Sequence, residues 1–550
     1  MRRRVFSYAV LALAATATAG GIALNHLLDR PGATAMDMVP SNALAVVALD
    51  LVPAPDQIMA FKSIDDMIAG SKEPVAKTAK GALIGSLFTE FVKDPGLEPI
   101  AQQVDRSIAV ALLPKREKGG ESEGEGVALM PVKDSAAVAS FLRSKGKAES
   151  VEGVSLFSFK MKEGGEVLHF SLQGSVLVGS NTAWAVADVA KVAAGQSSSI
   201  VRDAAFATAR GKALPSANLL VFVNPKLAKG QDWLVGSMTI RDTGIEMGVS
   251  GQTDDEQVMK AGTMAPLGPE FLANLPRGAY GFFGVAQPGP TVALSGEILD
   301  EPAKEMKEEM ELDLKSDVLP ALGGNLAVGF YPSFGPDAGI DLLVSIDDAN
   351  GADPASLAAK LEKILDDKME EGGKAREWKT DSRTAGGTVT HHLSDEPEKA
   401  IREGLTGAEK SFFRPLTLSR GKTIAWATVG HSVLLATSQS LLERAVQQRS
   451  TPVASLGLST DSAMGAKPTQ AADGQFALAI SMKRLVEGIR NTVDPSHMSV
   501  ENAKIYRKTL ALYDNTTEPL AIRARMGGDG RYTGYVSIPF DWTKLPGMLK

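Results

Sequence analysis

A chain of 550 residues that is 44% hydrophobic and 22% charged is too long for one hydrophobic core and too polar for a multi-span membrane protein. Its formal charge of −7, with no Lys/Arg cluster beyond the first four residues, excludes the concentrated basic face that nucleic-acid binding requires. Cysteine is absent, which removes disulfides, thiolate metal sites, cysteine nucleophiles and an acylated lipoprotein cysteine, and favours a bacterial source for an exported protein.

The chain opens with Arg2, Arg3 and Arg4, then runs without charge from Val5 to Leu28 before Asp29 and Arg30. Positive charge followed by an apolar stretch is the order of an export signal, with the arginines left in the cytoplasm. A helix over residues 5–28 exceeds the about 20 residues needed to cross a hydrocarbon core. Ala17-Thr18-Ala19 also offers a small-x-small cleavage pattern, so residues 1–30 predict either an uncleaved signal-anchor or a cleaved signal peptide. In both cases the rest of the chain is exported, periplasmic or at the cell surface, and the anchor reading tethers it to the cytoplasmic membrane.

After Val39-Pro40 and the run of β-formers to Val47, Ile58, Phe61, Ile64 and Ile68 fall on one face of a helix, and Leu83, Leu87, Phe88 and Phe91 mark a second apolar helix. These eight residues are the candidate lining of an apolar groove. The corresponding stretch of the second half, Glu301 to Leu314, is charged and has fewer apolar anchors. Lys115 to Gly126 reads as a solvated hairpin tip, and Gln448 to Gly474, polar and rich in small residues, as a long surface loop.

The two halves resemble each other in order. Val39–Val47 matches Leu275–Phe283, Ile108–Pro114 matches Leu326–Pro332, and Asp134–Leu142 matches Asp353–Leu361, each of the last pair an Asp N-cap opening a helix. Ser175–Val178 and Asn218–Val223 match Ser432–Leu435 and Gln475–Ile480, and Gly248-Val249-Ser250 echoes Tyr535-Val536-Ser537. The expected fold is α+β: two tandem copies of a mostly antiparallel sheet covered on one face by amphipathic helices, over residues 31–258 and 259–550, preceded by an N-terminal membrane helix. Each copy reads strand, helical insert, two strands, helix, hairpin, helix, strand, helix, hairpin.

Catalytic and metal motifs are weak. Asp242-Thr243-Gly244 spells the aspartic-protease triplet, but Arg241 precedes it and Gly528-Asp529-Gly530 is its only counterpart, so a turn is the expectation. His391-His392 are adjacent on a strand pattern and point to opposite faces, which does not suit one ion. Asp347 to Asp353 carries oxygen ligands without EF-hand spacing. No nucleophile elbow, phosphate-binding loop or His-Glu-x-x-His motif is present. No cofactor and no metal is expected, and no catalytic residue is assigned.

The opening Val39-Pro40 through Asp50, followed by Pro53-Ala54-Pro55-Asp56-Gln57, and the later helix start Asp134–Val138, resemble the bacterial family known as domain of unknown function 3352. The resemblance implies a membrane-anchored, extracytoplasmic, duplicated α+β protein without an assigned activity, and it supplies no site residues. The function expected is therefore a binding or scaffold role in the cell envelope rather than an enzyme, with the membrane, a lipid or another envelope protein as partner. The alternative is an envelope hydrolase with a non-standard active site.

Overall fold

The computed structural model describes residues 33–50, 53–69, 97–101, 103–105, 107–116, 124–160, 167–225, 227, 231–268, 270–273, 275–293, 303–304, 307–308, 312–333, 340–348, 351–371, 379–385, 388–394, 423–450, 458, 461, 464, 473–492 and 495–547. Residues 1–30, with the expected membrane helix, lie outside them. No helix among the described residues is long and apolar enough to cross a membrane. The protein is α+β with antiparallel sheet throughout the described pairings, and it divides into two compact units: Met1–Asp255 with Phe540–Lys550, and Glu256–Pro539.

The first unit holds β1 (Ala45–Asp50), β2 (Ser107–Pro114), β3 (Gly124–Pro131), β4 (Lys147–Val151) and β5 (Val154–Lys160). It continues with β6 (Val167–Gln173), β7 (Val176–Ser180), β8 (Leu219–Val223), β9 (Gln231–Arg241) and β10 (Gly244–Thr253). Pairing runs β4-β5-β6-β7-β3-β2-β1-β8-β9-β10. Its main helices are α1 (Ile58–Ala69), α2 (Ser135–Lys145), α3 (Ala183–Ala193) and α4 (Ala204–Arg210).

The second unit holds β11 (Gly281–Val285), β12 (Leu326–Pro332), β13 (Ile340–Ile346), β14 (Lys379–Ala385) and β15 (Thr388–Ser394). Then come β16 (Thr423–Val429), β17 (Ser432–Ala436), β18 (Phe476–Ile480), β19 (Leu520–Met526) and β20 (Arg531–Pro539). Pairing runs β14-β15-β16-β17-β13-β12-β11-β18-β19-β20, the same order as in the first unit. Its helices include α5 (Pro354–Glu371), α6 (Gln439–Ser450), α7 (Met482–Thr492) and α8 (Val500–Ala511).

The six sequence matches fall on corresponding elements, and the registers agree as well. Ala45 opposes Leu112 and Val223, while its counterpart Gly281 opposes Phe330 and Ile480. Val249 opposes Gly236, and Val536 opposes Ile522. Two details depart from the expected element order. Four strands, β4 to β7, stand where one hairpin was expected, because the polar run Lys147–Val151 pairs with β5 across a tight turn in which Glu152 and Gly153 both have positive φ, 52° and 82°. Among the described residues, the helix expected between β8 and β9 is found between their counterparts in the second unit, as α7 and α8.

Helices lie on both sheet faces of the first unit, not on one. Alternate residues along a strand point to opposite faces. Ala109, Ala111, Leu113, Leu220 and Phe222 share a core with Val186 and Val189 of α3 and Phe206 of α4. Their neighbours Ile108 and Leu219 join Val138 and Leu142 of α2 in a second core. Both faces are apolar because a central strand covered twice has no polar side, a pattern that hydrophobic periodicity read one strand at a time does not distinguish from a half-buried strand.

A side-chain amide fixes the central register in each unit. Asn218, just before β8, is buried and accepts the Ile240 N–H of β9 at 2.6 Å. Gln475, just before β18, accepts the Met526 N–H of β19 at 2.6 Å. The adjacent backbone bonds also correspond, Asp50 N–H to the Asn218 carbonyl at 2.8 Å and Ala286 N–H to the Gln475 carbonyl at 2.7 Å. Replacing Asn218 with Ala deprives the buried Ile240 N–H of this acceptor, and an orphaned buried donor costs about 1–3 kcal/mol. Urea unfolding of Asn218→Ala is expected to show a loss of that size, and an unchanged midpoint would contradict the role of the amide.

Candidate functional site

Of the eight candidate groove residues, three have described side chains. Phe61 and Ile64 on α1 are buried, 3% and 0% exposed, whereas Ile58 is 52% exposed. Ile68 belongs to α1, but its side chain lies outside the described residues, as do Leu83, Leu87, Phe88 and Phe91. Phe61 and Ile64 thus belong to the closed interior, and α1 packs against the 3₁₀ turn Trp542–Gly547.

The N-terminus of α1 explains the Asp242-Thr243-Gly244 triplet. These residues make the turn between β9 and β10, with Gly244 at φ 146°. Asp242 Oδ1 accepts the Met59 and Ala60 N–H groups at 2.9 and 3.0 Å, which satisfies donors that a helix leaves open and places a negative charge at its positive end. Next to it Arg241 pairs with Asp56 and, at 2.8 Å, with Glu246. Burial pulls the Arg241 guanidinium down, but the two carboxylates outweigh it and the net shift is upward. Gln57, buried, accepts from Ala54 N–H at 3.0 Å and donates to the Ser216 carbonyl at 3.0 Å. Asp242 is a helix cap, and the geometry holds it there.

The acidic stretch Asp347 to Asp353 is also committed to structure. Asp347 Oδ1 accepts the Asn325 N–H at 2.7 Å, and Asp348 Oδ1 accepts the Ser432 hydroxyl at 2.9 Å. Arg449 of α6 donates to Ser432 Oγ at 2.5 Å, and its burial lowers its pKa against the opposing pull of Asp347 and Asp348. Asp353 Oδ1 accepts the Ser356 N–H at the start of α5 at 3.2 Å. Among the described residues no group of three or more His, Asp or Glu could hold a metal ion. His391 and His392 are adjacent residues of β15.

The polar loop after α6 differs from its expected surface character. Leu458 and Met464 are fully buried in the second core, and Asp461 is 2% exposed. Asp461 accepts from both terminal nitrogens of Arg484, at 2.6 and 2.8 Å, and from Gly278 N–H at 3.0 Å. Two apolar anchors and one acid dispersed in a Ser/Thr/Ala/Gly-rich run are too few to register as a periodic element. Nearby Tyr331 is fully buried and donates to the Pro276 carbonyl at 2.9 Å, and burial raises its pKa.

One exposed charge cluster stands on the first unit. Glu152 takes Arg116 and Lys191, Arg116 also meets Asp188 at 2.5 Å, and the Arg116 guanidinium lies 4.9 Å from the centre of the Trp184 ring. Every charge in it has an opposite neighbour, so it is a closed network.

Sequence reasoning did not find the apolar sheet face of the second unit. Val344, Val328, Phe283, Leu478, Ile522 and Val536 form one row across six adjacent strands by direct pairing, and all six are half-buried. On the next rows Phe330, Ile480, Leu326 and Phe476 are half-buried too. The alternate residues of these strands face the closed core, and they are small on β18, Ala477 and Ala479, but large on β11 to β13, where Phe282, Tyr331 and Leu343 join Ala327. On β18 the larger side chains Phe476, Leu478 and Ile480 therefore point away from that core, to the half-buried side. The equivalent row of the first unit is Ala128, Val110, Val47, Val221, Gly236 and Val249, with smaller residues at four of six positions. The sequence signal was the alternation of small and large apolar residues in Leu326–Phe330 and Phe476–Ile480.

No family model and no curated protein matches this chain. A solved structure described as "Structure of crystal form I of TP0453" aligns with a TM-score of 0.25 and 9% identity, over 42% of this chain and 80% of that chain. A likeness of that size carries no argument about fold or function.

The charge cluster makes a direct prediction. Arg116 first, then Lys191, hold the Glu152 carboxyl well below its ordinary value, at about 2. A depressed carboxylate contributes stability above its unfolded pKa, and that contribution fades as pH falls towards 2. A carboxyl titration followed by NMR is expected to place Glu152 near 2 in the wild type, and Arg116→Ala is expected to move it towards the ordinary carboxylate range. A wild-type midpoint above 4 would show that the cluster does not hold in solution.

Proposed function

We propose that this chain is a membrane-anchored, extracytoplasmic binding protein of a bacterial cell envelope. Its body consists of two tandem copies of one α+β module, and the second module holds the acyl chain of a lipid on its half-open sheet face. The observation that carries the reading is the row Val344-Val328-Phe283-Leu478-Ile522-Val536, with Phe330, Ile480 and Phe476 beside it. A sheet ordinarily turns its large apolar residues to the closed core and its small or polar ones outward. On β18 the small residues Ala477 and Ala479 are inside while Phe476, Leu478 and Ile480 lie on the half-buried side, which supports reading that side as a surface that receives an apolar partner.

The equal strand order and register of the two units support the duplication. The charge order of residues 1–30 and the resemblance to domain of unknown function 3352 support the location. The carboxylates that could have signalled a hydrolase, Asp242 and Asp347 to Asp353, are bound up in caps and ion pairs, so no observation favours the enzymatic alternative.

Binding of a fluorescent long-chain fatty acid to the purified full-length protein tests this. Saturable binding is expected. Phe283→Asp is expected to weaken it tenfold or more, since a charge set on apolar surface costs several kcal/mol when a ligand covers it, and Phe283→Ala about fivefold, with circular dichroism unchanged for both. Absence of binding in the wild type, or equal binding by Phe283→Asp, would sink the proposal.

A further inference from the structure

Residues Phe540 to Gly547 group with the first unit although residues 256–539, which separate them from it in the chain, form the second. Their attachments within the first unit converge on one place. The Phe540 N–H donates to the Thr243 carbonyl at 3.2 Å, and the Trp542 indole N–H donates to the Arg241 carbonyl at 2.6 Å. The Trp542 side chain is 1% exposed, its ring centre lies 4.3 Å from that of Phe540, and the turn it opens packs along α1. Both carbonyls belong to the β9–β10 turn, the same turn whose Asp242 caps α1 and whose Arg241 pairs with Asp56.

α1 is therefore held in two different ways. Its N-terminus is fixed by polar bonds to the β9–β10 turn, and its flank is covered by a short segment anchored through one buried indole. We propose that Phe540–Gly547 is a detachable strap that clamps α1 to the first unit through Trp542, and that its release frees α1 and uncovers the helix face it packs on while the sheet of the first unit stays formed. The physical basis is the asymmetry of the attachment. Phe540–Gly547 lies in no strand, and its described attachments are the buried Trp542, the packing of its turn on α1 and two N–H donations, so it opens at lower free energy than a strand paired on both sides such as β1. Apolar residues beneath such a strap are screened until it leaves, which makes the strap a built-in control over an apolar helix face. This does not depend on the lipid reading, which concerns the sheet of the second unit.

Hydrogen exchange of the full-length protein, read by mass spectrometry on peptides covering α1, β1 and β18, tests the strap. In Trp542→Ala, amides of α1 including Ala60 are expected to exchange about a hundredfold faster or more, the scale of a large aromatic removed from a packed site. Amides of β1 and β18 are expected to keep wild-type rates. Trp542→Phe keeps a ring but removes the indole donor, and is expected to raise α1 exchange about tenfold. Unchanged α1 exchange in Trp542→Ala would overturn the proposal. So would equal acceleration of α1 and β1, because Trp542 would then belong to the cooperative core of the first unit and not to a strap.

Discussion

The structure of each unit depends on strand register, because side chains alternate with a period of two and a slip of one residue exchanges the faces of a whole strand. In the second unit a slip of β18 would put Leu478 against the closed core and expose Ala477 and Ala479. Ala477 and Ala479 are fully buried there, so a leucine in their place would have to displace its neighbours. The central strand β11 is paired on both sides, so its register also sets those of β12 and β18. The amide of Gln475 ties the next strand by a bond at 2.6 Å, and Asn218 does the same in the first unit at the same length. Two different side chains at corresponding positions reach the same backbone donor, which indicates that the bond is what the fold requires at that point.

Around this shared frame the two units diverge where the frame is least constraining. Both units carry an insert between their first two strands, with α1 in the first and residues 286–325 in the second, and the second unit adds α7 and α8 between β18 and β19. Insertions at strand ends cost little, since loop closure grows only slowly with length. They alter what covers the sheet without altering its register.

Much of this was legible in the residues. The six sequence matches fall on corresponding strands and on the helices that open at Asp134 and Asp353, because apolar runs and Asp caps are local signals. The α+β class followed from the same signals. The side of the sheet that each helix covers was not legible, since Ile108 and Ala109 are equally apolar and only packing separates their faces. The Asn218 and Gln475 bonds escaped notice because a single amide has no period. The buried Leu458, Asp461 and Met464 were hidden by their polar surroundings. The strap was missed for a related reason: a Trp near a chain end carries no hint of a partner about 300 residues earlier. For the candidate groove, sequence placed Phe61 and Ile64 on one apolar helix face, but a face pattern cannot show whether that face is open or covered.

Paired substitution by cysteine tests the register most directly, because the chain contains no cysteine of its own. Directly opposed positions on adjacent antiparallel strands bring Cβ atoms within disulfide reach, whereas a one-residue offset turns the side chains to opposite faces. Val47→Cys with Val221→Cys, and Phe283→Cys with Leu478→Cys, are expected to cross-link on mild oxidation, while Val47→Cys with Leu220→Cys and Phe283→Cys with Ala477→Cys are not. Closure of the offset pairs in place of the opposed ones, in either unit, would contradict the shared register.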